Sequence, residues 1–232
     1  MESQDLKQMT KDFSHQSSET TTKLYVRTNT NRISLPANGK RTIVVAGLSN
    51  TERKLDNTQM QALEDAVNDL NSLNLEAVSL KFEKRTEKQH EESNNKNSTV
   101  LILRDARNIN DFREGEFAIA SFSKNGNPGS PITITPNNTE LNTPEFFFKG
   151  IFLHELGHTF GIVHSDFDTR TSCGLNTTDG SRNRVIEHIP GTSTDTSDTN
   201  SIMAACATDI GVFSLTSQDK TAIRRIFQRA EF

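Results

Sequence analysis

A chain of 232 residues, 32% of them hydrophobic, fits one ordinary globular domain whose loops and tails carry much of the polar content. A formal net charge of −4 and a sequence pI near 5.9 give no electrostatic case for binding nucleic acid or an anionic membrane. No stretch approaches the ~20 apolar residues that span a bilayer, and Met1 to Thr20 lacks the apolar run of a secretory signal peptide.

Residues 1–22 are rich in Ser, Thr, Gln and Lys and read as a flexible arm ahead of a body at 23–232. Arg41-Thr-Ile-Val-Val-Ala-Gly47 predicts a buried strand ended by glycine. Thr58-x-x-Gln61 reads as a capping box, followed by Met60, Leu63, Val67 and Leu70 at helical spacing. Val78, Leu80 and Phe82 alternate with polar residues as in a half-buried strand, whereas Glu83 to Ser98 lacks apolar periodicity and reads as a surface loop. Thr99–Leu103 and Glu116–Phe122 predict two more strands, and the turn-dense Asn125–Pro131 leads into a fifth at Ile132–Thr135. Thr143 as cap and Pro144 as first helical residue open a helix that runs to about Phe160 and stops at Gly161. Ser165 to Ser201 is rich in Thr, Ser, Asp, Asn and Gly and reads as irregular. A last helix starts at Thr216, with Ile223, Ile226 and Phe227 on one face. The sum is an α+β domain with a sheet of about five strands.

The informative stretch is His154-Glu155-Leu156-Gly157-His158 inside the predicted helix. Residues four apart share a helix face, so both imidazoles can meet one ion, while Glu155 sits about 100° round the axis. Gly161 can take the left-handed conformation that ends a helix, letting the chain bring His164 back as a third ligand. Three imidazoles with an open position suit a catalytic zinc, whereas a structural zinc takes a fourth protein ligand, usually cysteine. A bare H-E-x-x-H arises by chance; the added histidine and glycine at fixed offsets make the pattern specific.

His154 to His164, read as HELGHTFGIVH, resembles the zinc signature of the metzincin clan of metallopeptidases. Asn200-Ser201-Ile202-Met203-Ala204 is similar to that clan's methionine turn, which implies that Met203 floors the metal site without ligating. Ser165 and Phe213-Ser-Leu-Thr-Ser-Gln-Asp219 are similar to matrixins. The span from His164 to Met203 is longer than theirs and closer to adamalysin-like or pappalysin-like layouts. Ala205 stands where astacins and serralysins have a tyrosine ligand, so the resemblance fixes the clan and no subfamily.

The resemblance implies a zincin-like single domain with a mixed twisted sheet, an active-site helix and a C-terminal helix. It implies one catalytic Zn2+ on His154, His158 and His164, with Glu155 as general base. A structural Ca2+ finds no support in the sequence. The strand residues Phe117, Ala118, Ile119, Ala120, Ser121 and Phe122 are expected to pair with an extended protein or peptide substrate, which points to an endopeptidase. Cys173 follows His164 and Cys206 follows Met203, so the implied fold brings both near the metal. A disulfide is expected there, free thiols being the alternative in a reducing compartment. A secreted or exported monomer is expected. The arm holds Asp5 and Asp12, carboxylates able to ligate zinc in a latent form. Two rival functions use the same scaffold: a catalytically silent binding module, and a zinc hydrolase of a non-peptide substrate.

Overall fold

A computed structural model describes residues 25–27, 32–104, 117–134, 145–178, 186–193, 201–206 and 213–229. The expected arm at 1–22 and the expected Thr143–Pro144 helix start lie outside them.

The frame is a five-stranded mixed sheet. Its longest inner strand, β2, Arg41–Leu48, is buried from Ile43 onward and lies in parallel between β3, Val78–Arg85, and β4, Thr99–Arg104. Such continuous burial is expected of an inner parallel strand covered by helices. Next to β4 lies β6, Ile132–Ile134, also parallel, and the sheet closes on β5, Ala118–Ala120, an antiparallel edge strand. The edge strand is shorter than the 116–122 run predicted from sequence.

Between β2 and β3 runs α1, Asn57–Asn71, with Met60, Leu63, Val67 and Leu70 buried as their spacing requires. Its cap is Asp56, whose carboxylate accepts the Gln59 N–H at 2.8 Å while Gln59 Oε1 accepts the Asp56 N–H at 3.0 Å. The capping box expected at Thr58 and Gln61 is therefore two residues earlier, because an aspartate there offers a stronger acceptor. The expected loop at 83–98 is also partly ordered: β3 continues to Arg85, and α2, Glu87–Glu91, follows. The buried Arg85 guanidinium holds this excursion through Glu83 (2.7 Å) and Asn95 Oδ1 (3.1 Å).

Against α1 packs α3, Glu145–Thr159, which is apolar around most of its circumference and buries Phe148, Phe152, Leu153 and Leu156. The expected irregular span 165–201 contains a strand, β7, Ile186–His188, paired antiparallel with β1, Tyr25–Arg27. An ion pair between Arg32 and Glu187 at 2.8 Å joins the same two regions. The last helix, α4, is Ser217–Ile226, one residue later than the start expected at Thr216, which caps it. No helix among the described residues is long and apolar enough to cross a membrane.

Candidate metal centre

His154 and His158 leave one face of α3 a turn apart, and the helix then ends in a left-handed glycine turn. Gly161 has φ 101°, the Ile162 N–H reaches the Gly157 carbonyl at 3.0 Å, and the Gly161 N–H reaches His158 O at 2.9 Å. This paired pattern is the Schellman motif. It reverses the chain within three residues and carries His164 back to the helix end, so that ligand-type atoms of all three histidines lie within 4.8 Å of one another.

Each of two rings is oriented by a backbone carbonyl. His154 Nδ1 lies 2.6 Å from the Ile202 oxygen, and His158 Nδ1 lies 2.8 Å from the Ile162 oxygen. A carbonyl only accepts, so Nδ1 carries the proton in both rings and Nε2 of the neutral ring is a bare lone pair. Yet His158 Nε2 sits 3.0 Å from His154 Nε2 and 3.2 Å from His164 Nε2. Lone pairs facing at that distance repel unless a cation lies between them. Bonds of about 2.0–2.1 Å to a tetrahedral ion place donor nitrogens roughly 3.3 Å apart, so the cluster fits zinc. Burial, and after it the neighbouring His164, pushes the His154 pKa down to about 4, keeping this ring in the neutral form a metal requires.

Met203 is buried against Gly157, where a Cβ would run into the Met203 Sδ. A side chain at position 157 would fit only with a shift of the Met203 side chain. Glu155, one position along from His154, is 6% exposed. The sulfurs of Cys173 and Cys206 are bonded, with Cα atoms 5.1 Å apart. The Phe122 ring stands edge-on to His158 with centroids 5.1 Å apart. Phe117 pairs with Phe147 at 5.3 Å, one end of β5 away, and Ile119 is 37% exposed on the sheet edge.

Sequence reasoning passed over two buried carboxylates. Asp219, 2% exposed, accepts the Ser201 hydroxyl (2.6 Å), the Ile202 N–H (3.1 Å), and the Thr216 N–H (2.9 Å) and hydroxyl (2.7 Å). It therefore ties the turn at Met203 to the start of α4. Asp166 accepts N–H groups from Ser172 and Ala205. Thr216-x-x-Asp219 was legible as a cap, but nothing in sequence marks its second role; Asp166 stands in a polar run without any signal.

A family model described as "Dual-action HEIGH metallo-peptidase" matches residues 3–227. The motif here reads HELGH, with Leu156 where that name spells isoleucine. Among solved structures, one titled "Structure of myroilysin" is 14% identical, with 89% of this chain and 100% of that chain covered and a TM-score of 0.48. A second, "Crystal structure of myroilysin", is 13% identical with 85% and 90% covered and a TM-score of 0.45. No curated protein matches. With the family model running through nearly the whole sequence and three histidines converging into a group able to hold a metal ion, the chain belongs to the HEIGH metallo-peptidase family and is a zinc-dependent peptidase of the metzincin type.

Proposed function

We propose that this peptidase is an endopeptidase that holds one Zn2+ on the Nε2 atoms of His154, His158 and His164 and uses Glu155 as general base. The observation that carries the reading is the convergence of bare Nε2 atoms fixed by the Ile202 and Ile162 carbonyls. A bound zinc ion supplies Lewis acidity, bringing the pKa of water towards ~7 and polarising a carbonyl. The Glu155 carboxylate takes the proton of the attacking water and delivers it to the departing amide nitrogen. Met203 supports the His154 and His158 rings through Gly157 and takes no part in proton movement.

Substrate binding rests on β5. It is the edge of the sheet, it leads into Phe122 beside His158, and no other described strand pairs with its outer side. An extended peptide can add there as a further strand, bound through its backbone on both sides of the cleaved bond, which favours internal cleavage. Secretion or export is supported by the Cys173–Cys206 disulfide. The chain acts as a monomer.

The test of the assigned roles is Glu155→Gln. Turnover of a protein substrate should vanish while zinc stoichiometry stays at the wild-type value. A rate within about tenfold of wild type, only ~1.4 kcal/mol of barrier, refutes the role of Glu155.

A further inference from the structure

The helix fixes His154 and His158 relative to each other, whereas His164 must be held against them by contacts between segments. Five contacts follow His164 in order, four of them crossing to the 201–206 turn and one closing the loop on itself. The Ser165 N–H donates to the Met203 carbonyl at 2.8 Å. Asp166 Oδ1 accepts the Ala205 N–H at 2.9 Å, and Oδ2 accepts the Ser172 N–H at 2.8 Å. Ser172 Oγ accepts the Cys206 N–H at 3.0 Å, and Cys173 is bonded to Cys206. The 201–206 turn on the far side of this seam also supplies Ile202, whose carbonyl orients His154. Whatever locks the seam therefore sets the third ligand relative to the first.

Asp166 is the joint of that seam. It is 1% exposed, and the partners of its carboxylate are two backbone N–H groups, with no cationic side chain paired to it among the described residues. Its own carbonyl accepts the Thr169 N–H at 3.1 Å and the Arg170 N–H at 2.6 Å, so the loop to Ser172 is wound around this one residue. A buried carboxylate is costly unless it is bonded and its charge is answered. Here the bonds are to the loop and the turn, and Asp166 stands two residues from His164, so a cation held by the histidines would answer its charge.

We propose that Asp166 is the positioning residue that fixes His164 against the Met203 turn and, through its charge, strengthens metal binding at the three histidines. This rests on the metal reading above, and the experiment separates the two. Zinc affinity is measured by competition with a chromogenic chelator for the full chain, Asp166→Asn, Asp166→Ala and the double variant Cys173→Ser/Cys206→Ser. Outer-shell partners of metal ligands alter affinity by about 10–100-fold. Asp166→Asn should weaken zinc binding by about tenfold, and Asp166→Ala by more. At saturating zinc the Asn variant should recover kcat with an unchanged KM for a peptide. The disulfide variant, which opens the same seam but keeps the carboxylate, should lose less affinity than Asp166→Asn. An Asn variant within threefold of wild type overturns the proposal even if the Ala variant does not fold. So does a disulfide variant weakened as much as Asp166→Asn, since tethering alone would then account for the effect. A wild-type chain that binds no zinc sinks the metal reading instead.

Discussion

Replacing Gly161 with alanine puts a Cβ on a residue whose φ is 101°, outside the region L-residues occupy at low energy. Holding alanine there costs on the order of 1–3 kcal/mol. If the backbone relaxes instead, the Ile162 N–H to Gly157 bond at 3.0 Å and the Gly161 N–H to His158 bond at 2.9 Å are strained together. The Ile162 carbonyl then moves off His158 Nδ1, and His164 moves with the same turn. Gly161→Ala should therefore lower the urea unfolding free energy of the zinc-free protein by about 1–3 kcal/mol and weaken zinc binding by about tenfold or more. Gly157→Ala is the matched control. Alanine improves helix propensity by ~1 kcal/mol at a mid-helix position, yet its Cβ runs into Met203 Sδ, so a loss of stability there reports the methionine contact. A Gly161→Ala protein within 0.5 kcal/mol of wild type, a difference typical of neutral surface changes, and with unchanged zinc affinity would refute the claim that this turn builds the site.

Asp219→Ala should cost about 3–5 kcal/mol in urea unfolding, because it leaves the Ser201, Ile202 and Thr216 donors without their shared acceptor; a cost under 1 kcal/mol would contradict the role given to it. Cys173→Ser/Cys206→Ser removes a link across a sequence separation of 33 and should cost about 3–4 kcal/mol by the chain-entropy relation, while the denatured, unreduced wild type should show no reactive thiol. The folded His154 pKa of about 4 lies below its ordinary 6.5, so the unfolded chain binds the proton more readily between these values. Metal-free stability is thus fully present above pH 6.5 and falls as the pH drops towards 4. His154→Gln should flatten that slope, and an unchanged slope would exclude His154 as its source.

Much of the frame was legible because burial imposes a period. The α1 face, β2 and β4 follow from their apolar spacing, and the metal ligands from the helical offset and glycine of one motif. What stayed hidden depends on partners distant in sequence. Ile186–His188 forms a strand only because Tyr25–Arg27 pairs with it, and three residues, Ile-Glu-His, are too few to show a period of their own. Orientation of the ligands falls to the Ile202 and Ile162 carbonyls, groups that every residue possesses and no motif records. Asp166 and Asp219 matter for where the fold brings them, and their residue type marks only a general preference for turns and caps.

The most direct test of zinc-dependent peptide hydrolysis at these histidines follows cleavage of a casein-derived internally quenched peptide through removal and return of the metal. Chelation should abolish cleavage, stoichiometric Zn2+ should restore it, and mass spectrometry should find the products cut at an internal bond. Cleavage that persists after metal analysis shows the zinc gone, or a zinc-loaded protein that leaves the peptide intact, would contradict the account.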